Sequence, residues 1–125
     1  MGKRRLYLKS SSGSQYVPPY DAKEIHLPGL NYCGPGTNVT KRVRNGVQPM
    51  NRLDNACYQH DLDMEVRGPQ RVGNKASALR ASDMRLARAA KRIALDPKTT
   101  KRERALAWVV HRAMLANKWR KSRRS

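Results

Sequence analysis

Phenylalanine is absent from these 125 residues, and no stretch approaches the roughly 20 apolar residues that cross a bilayer. A membrane span is therefore excluded as the organising feature of the sequence. With 38% hydrophobic residues, the chain can close a core, but a modest one to which a staple or bound ion would matter. Cysteine is scarce at two residues, too few for a disulfide-dense scaffold. Acidic residues are scarce as well: nine stand against 27 Lys and Arg, a formal net charge of +18. That surplus predicts attraction to a polyanion, nucleic acid or an anionic membrane surface, and charge by itself does not choose between them. The opening MGKRRLYLKSSSGS is basic but lacks the apolar core of a secretory signal. Leu6 stands where a myristoylation motif at Gly2 wants Ser or Thr. The expectation is a protein that stays in the cell that makes it, or leaves by a route other than secretion. No internal repeat, no convincing strand and no paired zinc-ligand set is visible.

What is present divides the chain into three. Residues 1–20 are basic, then Ser/Gly-rich, then closed by Val17-Pro18-Pro19, a composition that favours a mobile arm. Residues 21–96 form the expected domain. It opens on loop-like text from Asp21 to Gly46, with turn signals at Pro28-Gly29, Gly34-Pro35-Gly36 and Asn45-Gly46. Helical spacing begins near Pro49: Leu53, Cys57, His60, Asp61 and Met64 share one face of a helix over about 50–66, which Gly68-Pro69 stops. A second helix over about 75–95 carries Leu79, Asp83, Leu86, Ala90 and Ile93 on one face and ends at Asp96-Pro97. The short connection between them favours antiparallel packing. Residues 97–125 supply a third, basic amphipathic helix over about 98–119, with Trp108 and Trp119, and the tail KWRKSRRS. The fold class is mainly α: two antiparallel helices after a glycine-rich loop, then a C-terminal basic helix.

Acids on apolar faces need an explanation, because a buried carboxylate is costly unless it is paired or coordinates something. Packed against the first helix, Asp83 would meet His60, accept its Nδ1 proton and leave Nε2 as a base. Asp61 needs another partner. The stretch NYCGPGT, residues 31–37, can turn backbone carbonyls inward, and carbonyls with a carboxylate make a hard oxygen site of the kind Ca²⁺ accepts. Five of the nine acids (Asp54, Asp61, Asp63, Glu65 and Asp83) fall between residues 54 and 83, as a cation site would require.

YCGPG followed by DNACYQHD resembles the calcium loop and catalytic helix of secreted-type phospholipase A2. The fused Y-x-G-P-G form and the later SDMRLA are more similar still to viral phospholipase A2 domains, of the parvovirus capsid type. The similarity covers residues 28 to about 90. It implies a hydrolase that cleaves the sn-2 ester of membrane phospholipids, acting in a virion or infected cell as a structural component that aids membrane penetration. By this resemblance the carbonyls of Tyr32, Gly34 and Gly36 and the carboxylate of Asp61 bind Ca²⁺. His60 is the general base, Asp83 orients it, the Gly34 N–H helps to stabilise the oxyanion, and Asp54 suits the start of its helix. Cys33 and Cys57 fall at places that the secreted enzymes join by a disulfide. Two departures stand out: Met64 replaces a tyrosine that the family sets against the supporting aspartate, and the many other cysteines of the secreted enzymes are missing.

Simpler readings stand beside these. His60-Asp61 alone would be a surface pair, Asp83 alone would pair with Arg80 or Arg88, and the two cysteines would be buried free thiols in a reducing compartment. His26 and His111 read as surface or core-edge residues, and Glu103 as solvated. The third helix suits either core or an anionic lipid surface. The basic arm and tail could neutralise phosphates, so the alternative is a non-enzymatic basic protein on the same scaffold, binding nucleic acid or a capsid interior.

Overall fold

A computed structural model describes residues 15–64 and 76–116, and its regular elements among them are four helices and no strand. They are α1 (Val39–Arg44), α2 (Arg52–Met64), α3 (Ala76–Leu95) and α4 (Lys101–Leu115). Most of the basic arm, the Gly68-Pro69 stop, Trp119 and the tail lie outside the described residues. The helices expected from periodicity form: α3 ends at Leu95 as expected, and α2 and α4 start at Arg52 and Lys101, a little later than the spacing suggests.

The short helix α1 corrects the reading of residues 21–46 as loop throughout. Asn38 caps it by accepting the Lys41 N–H, and Gly46, at φ +75°, closes it in the left-handed conformation glycine tolerates. The Asn45-Gly46 turn signal is thus a helix stop. The start of α2 is a reciprocal cap: Asn51 Oδ1 accepts the Asp54 N–H, while the Asp54 carboxylate accepts the Met50 N–H. At α4, the Thr100 hydroxyl accepts the Glu103 N–H and donates to Glu103 Oε1. Glu103 therefore has a structural role that a merely solvated position lacks.

Cross-helix bonds set the direction of packing. On the α2–α3 side, Arg52 reaches Asp96 and Thr99 at one end, while Ser82 donates to Asp63 at the other, so the pair is antiparallel. The α3–α4 pair is antiparallel too, with His111 Nδ1 donating to the Ala87 carbonyl and Arg80 reaching Met114. Alanines on the shared faces (Ala87, Ala90, Ala94 and Ala107) let the last two helices approach closely. One core joins these faces to Leu30, Tyr32, Val39, Leu53, Leu86, Ile93 and Met114.

A buried ion pair fixes the segment that precedes the loop. Arg42, 0% exposed, forks onto both carboxylate oxygens of Glu24 and donates to the carbonyls of Val17 and Pro18. Glu24 also accepts the backbone N–H of Tyr20 and of Asn38. Burial works against the Glu24 anion, but Arg42 and these N–H groups outweigh it and hold the carboxyl below its ordinary value. Beside this pair lies His26 at the core edge, half-buried as a residue but with its imidazole turned inward and only 1% exposed.

Candidate active site

Asp54 joins the loop to the helix. Its carboxylate is buried and accepts four backbone N–H groups, from Asn31, Tyr32, Cys33 and Met50. Burial raises its carboxyl above the ordinary aspartate value, against the pull of those four donors. Its role is thus larger than the expected favourable position at a helix start. One turn on, Cys57 is bonded to Cys33, with Cα atoms 5.1 Å apart, so the two cysteines are a bridge and not free thiols. Asp54 and Cys57 both grip residues 31–33, and Asp61 is the next position on the same stripe of α2, at spacings of three and four. The glycine-rich bend is therefore laid along the face that carries Asp61.

Within the bend, the carbonyls separate into two sets. Those of Cys33 and Pro35 accept the N–H groups of Leu27 and Ile25. Those of Tyr32 and Gly34 converge instead on the Thr37 hydroxyl, at 3.1 and 3.2 Å. Only glycine fits this approach: a Cβ on Gly34 would lie 1.9 Å from the Ile25 carbonyl oxygen, and one on Gly36, at φ +76°, 2.6 Å from that of Lys23. Among the described residues no cluster of three His, Cys, Asp or Glu could hold a metal ion. A cation at this place would have to be bound by backbone oxygens with one carboxylate, which is the donor set a hard ion such as Ca²⁺ takes. The converging Tyr32 and Gly34 carbonyls fit that demand. Thr37, which the sequence reading did not single out, is what draws them together.

His60 and Asp83 meet across the α2–α3 interface. The imidazole Nε2 donates to Asp83 Oδ1 at 2.8 Å, and both side chains are buried, that of Asp83 completely. This corrects the expected ring orientation, in which Nδ1 faced Asp83. Nε2 is the ring nitrogen farther from the backbone, so it is the one that reaches the neighbouring helix. Nδ1 stays over its own helix, 3.8 Å from Asp61 Oδ1. With Nε2 carrying the proton that Asp83 accepts, Nδ1 is the nitrogen with a lone pair. Burial disfavours a charged imidazole, but the carboxylates of Asp61 and Asp83 outweigh it and raise the His60 pKa above its ordinary value.

Of the two arginines considered for Asp83, Arg80 is the neighbour, with Nη1 3.8 Å from Oδ2. Asp83 therefore has the arginine contact of the simpler reading and the histidine contact of the sharper one. Met64, on the α2 stripe, is buried. His111 sits half-buried at the core edge, as expected, with its ring edge-on to Trp108.

A family model described as a phospholipase A2-like domain matches residues 23–91, more than half of the chain, a span that includes the glycine-rich bend, Asp54, His60, Asp61 and Asp83. No curated protein and no solved structure matched the chain.

Proposed function

Because the chain belongs to the phospholipase A2-like domain family, we propose that it is a Ca²⁺-dependent phospholipase A2 that hydrolyses the sn-2 ester of membrane phospholipids. The observation that carries this reading is the buried His60–Asp83 hydrogen bond at 2.8 Å, with Asp61 against the other ring nitrogen.

In this mechanism Nδ1 of His60 takes a proton from water as the water oxygen adds to the ester carbonyl. Asp83 holds the ring by Nε2 and stabilises the imidazolium that forms. The imidazolium then returns the proton to the departing alcohol oxygen of the lysophospholipid. The Gly34 N–H donates to the carbonyl oxygen as it gains charge. Asp61 and the carbonyls of Tyr32, Gly34 and Gly36 would hold Ca²⁺, which when bound supplies Lewis acidity to the ester carbonyl and a counter-charge for the phosphate. Without a cation, the carboxylates of Asp61 and Asp83 hold the imidazole above its ordinary value; a dication bound at Asp61 would offset that pull and favour the neutral, proton-accepting ring.

The role proposed is a viral structural component that aids membrane penetration, supported by the fused YCGPG loop and the SDMRLA segment. The alternative, a non-enzymatic basic protein on this scaffold that binds nucleic acid or a capsid interior, draws on the +18 charge. Vesicle hydrolysis separates the two. Fatty acid should be released with Ca²⁺, stop in chelator, and fall by about 10²–10⁴-fold in His60→Asn with the fold retained. Undiminished release by His60→Asn would sink the hydrolase reading. Salt-sensitive DNA binding with no lipid turnover would put the alternative in its place.

A further inference from the structure

We propose that Arg80 is a positioning residue for the His60–Asp83 pair, held by the C-terminal turn of α4 so that its charge steadies Asp83. The inference rests on the phospholipase reading of that pair. Asp83 is 0% exposed, and its two oxygens face different partners: Oδ1 accepts from His60 Nε2 at 2.8 Å, and Oδ2 faces the Arg80 guanidinium at 3.8 Å. That second distance is an ion pair rather than a hydrogen bond, so Arg80 acts by charge and by filling space beside the carboxylate. A thioether cannot take this place. The Met64 side chain offers no hydrogen-bond donor to the carboxylate, whereas Arg80 brings a fixed positive charge to it.

Arg80 is itself held. Nη1 donates to the Met114 carbonyl at 2.9 Å and Nη2 to the Leu115 carbonyl at 3.2 Å. Those are carbonyls of the last turn of α4, the end where a helix carries its negative partial charge and wants a cation. The guanidinium is thus fixed by α4 on one side and presented to Asp83 on the other, with i,i+3 spacing along α3 bringing the two side chains together. In this arrangement α4 has a function besides closing the core: its C-terminal turn sets the position of the charge that steadies Asp83. The planar fork matters, because lysine could supply the charge but not two directed bonds to α4.

The test compares Arg80→Met, Arg80→Lys and a control, Arg85→Met, whose guanidinium pairs with Asp63 instead. Two readouts are taken on the full chain: steady-state hydrolysis of phospholipid vesicles, and the NMR resonance of the His60 Nε2 proton without Ca²⁺. Arg80→Met should lower kcat by about 10- to 100-fold with KM little changed, the size expected for an outer-shell partner. Its Nε2 proton resonance should broaden or vanish, Arg80→Lys should recover part of both, and Arg85→Met should leave both unchanged. An unaltered kcat in Arg80→Met overturns the proposal, as does a fall in kcat with the Nε2 proton unmoved, since the residue would then act only through the fold. Should Arg80→Met fail to fold, Arg80→Lys decides: the full Nε2 proton signal and full kcat in that variant count against the fork. If the unsubstituted protein releases no fatty acid, the phospholipase reading fails, and the Nε2 proton alone decides whether Arg80 steadies the pair.

Discussion

His26 places a whole imidazole in the interior, and neither ring nitrogen has a hydrogen-bond partner among the described residues. Burial, and then the nearby Arg42 charge, push its pKa down to about 4, while Glu24 at 3.7 Å pulls the other way without prevailing. The sign follows from which state takes up the proton. Between pH 6.5 and 4 an unfolded chain protonates this histidine and the folded one does not, so its stabilising effect is complete above 6.5 and is lost through that window. His60 has the opposite sign: its raised pKa adds stability that is present below 6.5 and fades as pH rises through the folded value. Thermal unfolding from pH 7 to 4 should therefore show a falling midpoint, with a shallower slope in His26→Phe. Equal slopes in the two proteins would mean that the ring is solvated. Glu24 and Arg42 belong to the same scale. Removing either charge leaves the other buried and unpaired, and Arg42→Ala should cost about 3–5 kcal/mol in denaturant unfolding. None of this burial was legible in the sequence, because KRVRNG looks like a solvated turn and the partner of Arg42 lies 18 residues away.

α2 was legible as an element because its burial follows helical spacing, and the same spacing carried the site: Asp54, Cys57, His60 and Asp61 share its buried face. The loop was legible through its glycines, whose close backbone approach leaves no room for a Cβ. α1 was missed although its signals are present, an Asn cap before Val39 and Asn45-Gly46 after Arg44, because six residues are too few for an apolar period to show. The ring orientation of His60 was misread because it depends on which helix Asp83 arrives from and how far away, a tertiary distance that spacing does not contain. What turns loop and helix into one unit is the pair of ties from α2, the Asp54 carboxylate and the Cys33–Cys57 bridge. The bridge spans a sequence separation of 24 residues, and closing a loop of that size stabilises by about 3 kcal/mol in the chain-entropy account. Reduction should lower the thermal midpoint and weaken Ca²⁺ binding measured by calorimetry, because the carbonyls of residues 32–36 lose one of their two anchors. A melting curve indifferent to reductant would show that Asp54 alone suffices.

At the scale of the molecule, the distribution of charge matters more than its total. Among the eight acidic residues that the structure describes, four (Glu24, Asp54, Asp61 and Asp83) are buried, so the described surface is more one-signed than the +18 balance indicates. The α3–α4 hairpin exposes Arg88, Lys91, Arg92, Lys101, Arg102 and Arg112, and among them Leu95, Val109 and Leu115 are exposed apolar residues. Trp108, Val109, His111 and Arg112 line a shallow cleft of about 430 Å³ on α4. No helix among the described residues is long and apolar enough to cross a membrane. A cationic face with scattered aliphatic residues is suited to adsorption on an anionic bilayer, where charge draws the protein in and apolar side chains hold it in the headgroup layer. The same charges would hold DNA, but there Val109 and Leu115 would have little to bury against. Vesicle sedimentation should then show binding that strengthens with the fraction of anionic lipid and weakens as salt shortens the screening length from about 10 Å at 0.1 M to about 3 Å at 1 M. Val109→Ser, which removes the apolar surface without changing charge, should weaken binding to vesicles and leave binding to duplex DNA nearly as it was, since phosphate neutralisation depends on the basic residues. Equal losses on both partners would mean that one undifferentiated charged surface serves them, and that the aliphatic residues of α4 play no part in the choice.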